Sequence, residues 1–599
     1  MSSKEIQAYR FGPFRLDVAE RQLLRDGRHV PLTSKVFDIL LLLVQNSGRV
    51  VLKEELMQQI WPDIVVEENN LTVNMSALRK ALGKRDNGPE YIETVPRRGY
   101  RFISVVEKVL DESDAVRDVR YASAAVEERA SVREQQQQQQ VANSLAVLPL
   151  TNASSDPNLE YFSDGISESI INSLSRLPQL RVMARNTSFR FRGADVDAQK
   201  AGREMNVRAV LVGRVLRLNG RIIISTELVD VADGAQLWGE QYNRKAADIL
   251  DVQTEIAKEV SEKLRLRLTE DEQKGLAKQP TENIEAYHLY LKGRYFWNKY
   301  YMKQVQKGLA YFQQAIDLDP GYALAYAGVA DSYYRLSSTQ LRPTEAFPRA
   351  KAAALKALEL DETLSEAHAS LGLVKLYYDH DFHGAEMNYR RAIETNPNAS
   401  LAHQRYGTYL MYMARFEESL REFKLAHELD PLSLQINVNI GSVLLLTRRF
   451  GEAVGQYQKT LDIDPNYYPA RYGLGCVASA QGNYTEAVSE FEKVYQLEED
   501  NDIALGAMGR AYALAGNKSQ AEKALKALKT LAKRKYVSSY SFALVHTGLG
   551  QDEQALKAFD KGYEERDDWM VTLNVMLEFE GLRRDTRFKD LLRRIGFAS

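Results

Sequence analysis

The spacing of apolar residues between positions 66 and 105 changes from a helical to a strand-like period. Four apolar residues recur at helical spacing in the first half of this stretch: Leu71, Met75, Leu78 and Leu82. They predict an amphipathic helix with one buried face. The second half contains two β-type runs, 91–95 and 100–105, joined by a Pro-Arg-Arg-Gly corner. We therefore expect a helix followed by a hairpin.

The residues before this stretch predict a small sheet and two further helices. Short β-type runs alternate with turns in residues 9–30. One helix is predicted to begin at Thr33, its expected N-cap, and to end near Asn46. A second is predicted from about Leu52 to Ile60, where a Trp-Pro pair ends it. This order of elements is that of a winged helix-turn-helix, which we place at residues 6–106.

The third helix of this domain leaves a polar and basic face free. The residues expected there are Asn69, Asn70, Asn74, Ser76, Ala77 and Lys80. Asparagine can pair with adenine edges, and arginine with guanine edges or phosphates. From Arg79 to Arg101, seven Lys and Arg residues stand against three acids, a local excess of four positive charges. A solvated helix beside a basic turn is the alternative, but the whole ordered set of elements favours DNA binding.

Residues 107–143 predict a flexible linker. Acidic and basic residues mix there without a helical stripe, and Gln135–Gln140 is an uninterrupted glutamine run. The run could promote association between chains, although a spacer is the preferred interpretation.

Residues 144–270 return to alternating strands and helices and predict an α/β domain. Asn219-Gly220 is a hairpin signal between two long strands. The acidic residues of this domain at 164, 168, 195 and 197 have no histidine partner or metal-ligand spacing. The glycines of the domain form no phosphate-binding loop. We therefore expect an adaptor or ligand-sensing domain without catalytic residues, metal or cofactor.

The remaining residues, 283–599, carry a repeated pattern. Successive helix pairs are closed by Asp319-Pro320, Asp361-Glu362, Asn396-Pro397, Asp430-Pro431 and Asp464-Pro465. The last three intervals are 34 or 35 residues, the tetratricopeptide (TPR) period. We count about eight repeats, which predict a solenoid with a curved groove for extended peptides or helices.

Five residues fall on the helices expected to line this groove: Gln404, Thr408, Tyr472, Cys476 and Arg510. They could instead be ordinary solvent-facing or core residues. For Cys476 in particular, a small buried hydrophobe is preferred over a redox sensor.

Composition changes this picture little. A chain of 599 residues is too long for one core, and its net charge of −2 shows that it is not a polycation as a whole. Its single cysteine excludes an internal disulfide. No apolar run approaches the roughly 20 residues that span a bilayer, and we expect a cytoplasmic, nucleoid-associated protein without a membrane segment. The predicted fold class is multidomain α+β: winged helix, α/β domain and all-α solenoid.

The first domain resembles the DNA-binding domain of OmpR/PhoB-type regulators, and more closely the ToxR/CadC/HilA branch. The residues that carry the resemblance are Leu32-Thr33, Val51–Leu56, Trp61, Leu78–Leu82 and Ile92–Phe102. It implies base contacts by Asn69, Asn74, Ser76 and Ala77, and phosphate or minor-groove contacts by Arg79, Arg97 and Arg98. Asn70, Lys80 and Lys53 are further candidates for DNA contact. Several relatives have Arg or His at positions 69, 74, 76 and 77, which leaves the target sequence open.

The resemblance also bears on partners. In OmpR-type domains the loop that corresponds to 61–66 meets RNA polymerase, so Trp61 and Asp63 are candidate polymerase contacts and activation is expected over repression. Residues 144–270 are similar to TolB/FlgO-like domains, through Leu145–Pro149, Tyr161–Ile166 and Gln236–Glu240.

Together these features predict a soluble, HilA-like one-component bacterial regulator. The winged helix binds double-stranded promoter DNA, and the other regions receive a signal or an unidentified protein or peptide partner. An interaction scaffold built on the TPR array, with DNA binding secondary, is the alternative. An enzyme is the third possibility, and no catalytic set supports it.

Overall fold

The computed structural model divides into two compact units, Met1–Gln137 and Gln138–Ser599. The residues it describes are 8–18, 21–25, 28–30, 32–60, 68–82, 91–95, 98–104, 106–109, 143–154, 159–193, 196–218, 221–245, 248–299, 302–337 and 340–597. The predicted turns at 26–27 and 219–220 and the glutamine run lie outside this set.

Among the described residues, the first unit contains two antiparallel sheets and three helices. Its strands are β1 Ala8–Phe11, β2 Phe14–Asp17, β3 Gln22–Arg25, β4 Arg28–Val30, β5 Val50–Leu52, β6 Ile92–Val95, β7 Gly99–Phe102 and β8 Glu107–Val109. Its helices are α1 Ser34–Gln45, α2 Lys53–Ile60 and α3 Glu68–Leu82. One sheet has the order β4-β3-β2-β1-β8, and the other has the order β5-β7-β6.

The predicted apolar stripe of α3 is confirmed. Leu71, Met75, Leu78 and Leu82 are all buried, and they pack in one core with α1 and with aromatic residues of both sheets. Phe11, for example, lies edge-on to Phe102, with ring centroids 5.0 Å apart. This shared core fixes α3 against the two sheets, so its opposite face is the one presented to solvent.

Two short strands differ from the sequence expectations. Leu52 belongs to β5, which pairs with β7, and not to the second helix. Glu107–Val109 forms β8 against β1, so the fold continues three residues into the predicted linker. Three-residue strands have too few positions to show an alternating pattern, and only their pairing partners identify them.

The second unit begins with a six-stranded mixed sheet. Its strands are β9 Ser144–Val147, β10 Thr151–Asn152, β11 Arg181–Val182, β12 Ala209–Leu218, β13 Arg221–Asp230 and β14 Gln236–Lys245. Its helices are α4 Glu160–Leu174, α5 Arg185–Ser188, α6 Ala198–Glu204, α7 Ile249–Lys263 and α8 Glu270–Ala277. The order is β11-β9-β12-β13-β14, with β10 beside β12. Strands β9 and β12 are parallel, and β12, β13 and β14 are antiparallel.

Eight helix pairs follow between residues 284 and 564 of the described chain. The first helices of the pairs are α9 Ile284–Trp297, α11 Ala323–Leu336, α13 Ser365–Val374 (continued by a π-helical turn, Lys375–Asp379), α15 Ser400–Tyr412, α17 Leu434–Leu446, α19 Tyr468–Ala480, α21 Asp502–Leu514 and α23 Ser539–Gly548. The second helices are α10 Met302–Leu318, α12 Pro343–Leu360, α14 Phe382–Thr395, α16 Phe416–Leu429, α18 Phe450–Ile463, α20 Tyr484–Leu497, α22 Lys518–Leu531 and α24 Asp552–Glu564.

The chain then leaves the repeat pattern. Two 3-10 helical stretches, Asp568–Thr572 and Leu577–Arg584, precede a final helix, α25 Thr586–Ile595. We call residues 568–584 the C-terminal segment. Val571 of this segment is fully buried in a cluster with Leu376 and Tyr409 from two first helices. Asn574 donates a hydrogen bond to the main-chain oxygen of Tyr412, 2.8 Å away. The segment is therefore packed onto the repeats and not detached from them.

A charged cluster joins the mixed-sheet domain to the first repeat. Glu168 on α4 accepts hydrogen bonds from Arg294 (2.8 Å from Nε) and from Asn298 (3.0 Å), and Arg185 lies 3.0 Å away. Burial acts to raise the pKa of Glu168, but Arg294 and Arg185 outweigh it and the pKa is lowered. The acid at position 168 thus has a structural role at this junction.

Asp430 at the end of α16 makes a second junction with the same domain. Thr187 Oγ1 donates to its carboxylate over 2.7 Å, and Asn186 Nδ2 donates over 3.0 Å. The main chain joins too, since the amide of Ala184 donates to Leu429 O over 2.8 Å. Burial raises the pKa of Asp430 from 3.8 to about 6 despite these donors.

The raised pKa of Asp430 predicts a pH dependence with a definite sign. The folded protein holds this proton more tightly than the unfolded chain, so its stabilising contribution is full below pH 3.8 and is lost as the pH rises to about 6. Asp430→Asn removes the titrating carboxyl group, so the variant does not lose stability in this way as the pH rises. We expect the stability of this variant relative to wild type to increase by about 2 kcal/mol between pH 4 and pH 6.

Thermal unfolding of both full chains across this pH range checks the expectation. Asp462→Asn, a change of an exposed acid on α18, serves as the control, and its difference from wild type should stay flat. If the stability difference between Asp430→Asn and wild type also stays constant with pH, the conclusion that folding raises the pKa of Asp430 is contradicted.

Candidate functional site

The solvent face of α3 carries most of the residues predicted for DNA contact. Asn70, Ser76, Ala77 and Lys80 are exposed, and Asn74 is half-buried among them. Two of the polar side chains bond back to their own helix: Asn74 Nδ2 to Asn70 O over 2.8 Å, and Ser76 Oγ to Thr72 O over 3.0 Å. These bonds are local, so either side chain can exchange its bond for one to a base edge.

Arg79 lies on a different side of α3. Its Nη2 donates to Ile92 O over 3.1 Å and to Thr94 Oγ1 over 2.6 Å, both on β6. The guanidinium also lies 5.8 Å from the ring centroid of Tyr100 on β7. The resemblance implied a phosphate contact for Arg79, but its guanidinium is engaged with the hairpin. It therefore fixes the hairpin relative to α3.

The hairpin tip presents Arg98 to solvent. Among the described residues, no carboxylate lies within ion-pairing distance of Arg98 or of Lys80 on α3. The main chain around Arg98 is held in place, because its carbonyl oxygen accepts a hydrogen bond from the amide of Lys53, 3.1 Å away. Lys53 itself begins α2 and is half-buried. Two cations are thus available to an anionic partner.

Four of the predicted contact residues fall wholly or partly outside the described set. Arg97, Trp61 and Asp63 lie outside the described residues, as does the side chain of Asn69.

Sequence reasoning missed Val73. Its side chain is 62% exposed on α3, beside Asn70, Asn74 and Ala77 at helical spacing. Single exposed apolar side chains are common on protein surfaces, so Val73 becomes a candidate only through its place among these polar residues. The signal in the sequence is an apolar residue off the stripe of Leu71, Met75 and Leu78.

The five groove candidates all line one cavity in the second unit, with a volume of about 730 Å³: Gln404, Thr408, Tyr472, Cys476 and Arg510. First helices α15, α17, α19 and α21 form one side of it. Asp568, Met576 and Glu578 of the C-terminal segment also line it. The expected open groove for an extended peptide is thus partly covered by the chain itself, and a half-open chamber remains. We call it the repeat chamber.

The polar groups of the repeat chamber differ in how completely their charges and hydrogen-bond donors have partners. Burial raises the pKa of Cys476 well above its ordinary value, so its thiol is protonated and unreactive. Arg405 is bound to the buried Asp331, 2.8 Å away. Arg510 donates to Ser479 Oγ over 3.2 Å and to Glu578 O over 3.4 Å, while its buried Nε has no hydrogen-bond partner.

Four family models match parts of the chain. Residues 27–102 match the family described as transcriptional regulatory protein, C terminal. The chain carries an OmpR/PhoB-type winged-helix domain. Residues 140–259 match the second domain of HilA/YgeH-like transcriptional regulators, and 405–468 and 478–536 match tetratricopeptide repeats. The TolB/FlgO-like assignment of the middle domain stays a prediction.

Curated relatives cover parts of the chain. A candidate adenylate cyclase 3 of Rhizobium meliloti (strain 1021) is 37% identical over 187 residues, 31% of this chain and 32% of that protein. Transcriptional regulator HilA of Salmonella paratyphi A is 26% identical over 412 residues, 67% of this chain and 66% of that protein. Transcriptional activator CadC of Escherichia coli (strain K12) is 35% identical over 95 residues, 16% of this chain and 19% of that protein. The chain spans less than two thirds of the length of each of these relatives.

Solved structures are similar to separate parts of the chain. The DNA-binding domain of E. coli CadC is 32% identical and has a TM-score of 0.17, covering 17% of this chain and 97% of that one. PilW, a type IV pilus biogenesis factor, is 21% identical with a TM-score of 0.30, covering 35% of this chain and 92% of that one.

Two further properties concern the described residues as a set. They hold no cluster of His, Cys, Asp and Glu arranged for a metal ion. None of their helices combines the length and the apolar character that crossing a membrane requires.

Proposed function

We propose that the protein is a sequence-specific DNA-binding transcription regulator. The observation that carries the proposal is the exposed face of α3, where Asn70, Val73, Asn74 and Ala77 stand together. Lys80 on the same helix and Arg98 at the hairpin tip add two cations that have no ion-pair partner among the described residues. An α-helix of this kind fits the major groove of B-DNA. The winged-helix family match at residues 27–102 supports the same conclusion.

The residues divide into two roles. Lys80, Arg98 and Arg97 contact phosphates and set the register of the protein on the duplex, without reading sequence. Asn70, Asn74 and Ser76 read base edges, with adenine the natural partner of an asparagine amide. Val73 and Ala77 suit apolar contact with thymine methyl groups. Arg79 supports both roles by holding the hairpin beside α3.

The second unit supplies the input to this regulator. TPR arrays bind proteins, so a protein partner that docks outside the repeat chamber is part of the proposal. By analogy with OmpR-type domains, the protein activates transcription through contact of RNA polymerase with Trp61 and Asp63. The protein acts without a catalytic step of its own and works at the nucleoid.

A selection from a random duplex library tests the proposal. The full chain should enrich one sequence class, and Arg98→Ala should weaken binding to every sequence about equally. Asn74→Ala should instead relax the preference at one base position, at a cost of about 1–3 kcal/mol on the preferred site.

Arg10→Ala, a change of an exposed arginine on β1, is the matched control for lost charge and should bind as wild type does. No enrichment by the full chain would sink the proposal and favour the scaffold alternative. An equal loss on all sequences for Asn74→Ala would show that Asn74 does not read bases.

A further inference from the structure

The repeat chamber has the size of a small-molecule site. Its volume of about 730 Å³ lies within the range of roughly 300–1,000 Å³ that pockets for small ligands occupy. The C-terminal segment forms one of its walls, and Met570, Val571 and Phe579 of that segment are fully buried. Because these residues belong to the folded core, the segment is part of the folded second unit and its displacement would expose buried apolar side chains. A helix or long peptide laid along the repeats would have to displace it.

The chamber walls are rich in aromatic rings. Ten of the lining residues are Tyr or Trp, among them Tyr472 on α19, Tyr540 on α23 and Trp569 on the C-terminal segment. Tyr540 and Trp569 lie with ring centroids 5.0 Å apart. Aromatic rings supply a large apolar contact area and stack on planar ligands. A ring-bearing ligand fits such walls better than an aliphatic sugar or a free inorganic ion.

Arg510 is the polar group that the fold leaves incompletely satisfied in this chamber. Its two hydrogen bonds, of 3.2 and 3.4 Å, go to neutral acceptors, and its buried Nε has none. Among the described residues, no carboxylate forms an ion pair with it. Arg405 on the same walls is satisfied by Asp331 at 2.8 Å. The side chain of Arg510 is half-buried, and its Nε–H, which has no acceptor, can gain a charge-assisted hydrogen bond from a bound anion.

We propose that the repeat chamber binds a small aromatic monocarboxylate. Arg510 holds its carboxylate through Nε and one Nη, and Tyr472, Tyr540 and Trp569 enclose its ring. The carboxylates of Glu578 and Asp568 also line the chamber, which disfavours ligands that carry more than one negative charge. This site goes beyond the proposed DNA binding and does not depend on it.

The position of the chamber would let a ligand act on the rest of the second unit. Asn186 of the mixed-sheet domain reaches its wall, where it donates to Asp430 on the repeats. Bound ligand would therefore contact the repeats, the C-terminal segment and the junction with the neighbouring domain. Binding only to this folded arrangement stabilises it by mass action.

The test compares two probes of equal shape, 2-naphthoate and its neutral amide 2-naphthamide, by titration calorimetry on the full chain. We expect one saturable site and at least tenfold tighter binding of the carboxylate. Arg510→Gln should abolish the difference between the probes and leave amide binding in place. Ser479→Trp, which places a bulky ring beside Arg510, should block the site and lower the affinity for both probes at least tenfold.

Arg448→Gln, which alters an exposed arginine paired with Glu580 of the C-terminal segment at 2.7 Å, is the control and should bind as wild type does. If Arg510→Gln does not fold, Ser479→Ala should still lower the affinity for naphthoate more than the affinity for naphthamide, because Ser479 orients the Arg510 guanidinium. Equal binding of the two probes by wild type, no saturable binding, or naphthoate affinity unchanged in Arg510→Gln would each overturn the proposal. DNA binding is measured separately and its loss or retention has no bearing on this result.

Discussion

Replacing Gly99 with alanine is expected to destabilise the first unit by about 2–4 kcal/mol and to abolish high-affinity DNA binding. A Cβ at this position would lie 1.9 Å from the main-chain oxygen of Val51 and 2.9 Å from Cα of Leu52. Both atoms belong to the backbone of β5, so no side-chain movement can make room. The β5–β7 pairing at Leu52 and Gly99 must open, and the hairpin with Arg98 moves with it.

Thermal unfolding and duplex binding of the full chain measure this effect. Gly48→Asn is the matched control, because a side chain there meets no atom within 4 Å and asparagine tolerates its φ of +84°. We expect this control to change stability by less than about 1 kcal/mol. A Gly99→Ala chain that unfolds and binds as wild type does would show that the close packing of the hairpin on β5 is unimportant.

Replacing Arg405 with alanine is expected to destabilise the second unit by about 3–5 kcal/mol. Arg405 and Asp331 form an ion pair of 2.8 Å with side chains only 8% and 6% exposed. Ser370 completes the network, since its Oγ donates to the same Asp331 oxygen over 2.5 Å. Removing the guanidinium leaves a buried carboxylate without a counter-charge, and the desolvation of that charge is the main cost.

Two further variants separate this cause from lost packing. Arg390→Ala breaks an ion pair with Glu386 in which the arginine side chain is 58% exposed, and it should cost no more than about 1 kcal/mol. The double replacement Asp331→Leu with Arg405→Met removes both charges at similar volume and should recover most of the loss. Chemical denaturation of the three chains gives the comparison, and a loss below about 1 kcal/mol for Arg405→Ala would contradict the account.

The long periodic elements of this fold could be predicted from the sequence. The stripe of α3 has a helical period because one face meets a continuous core, and the buried Leu71 and Leu78 bear this out. The repeat period follows from identical packing demands in successive helix pairs. Gly475 illustrates the demand, since a Cβ there would lie 2.5 Å from the ring of Phe491 on the second helix of its pair.

Features that depend on distant partners could not be predicted. The strands β5 and β8 are too short to carry a pattern, and their pairing with β7 and β1 defines them. The C-terminal segment has a 3-10 conformation and irregular spacing, so nothing local shows that Val571 packs among residues such as Leu376. The sequence therefore does not show that the C-terminal segment covers part of the groove. The repeat alignment does indicate which residues line it.

Some of the candidate DNA-contact residues could likewise be predicted from the sequence pattern, whereas the roles of others depend on distant partners. Asn70, Ala77 and Lys80 were predicted from the face opposite the apolar stripe, and the helix geometry puts them there. Arg79 was assigned by resemblance, and only the three-dimensional structure reveals its hydrogen bonds to Ile92 and Thr94. Val73 was passed over because apolar residues are ordinarily taken as core, and its exposure is visible only once the helix is packed.

The salt dependence of duplex binding by the full chain tests the central claim most directly. Each phosphate contact contributes about −0.9 to the slope of the logarithm of the affinity against the logarithm of the salt concentration. Contacts by Lys80, Arg97 and Arg98 predict a slope of about −3 or steeper, and Arg98→Ala should reduce its magnitude by about one. A slope near zero, or no binding at low salt, would contradict the proposal that α3 and the hairpin form a DNA-binding surface.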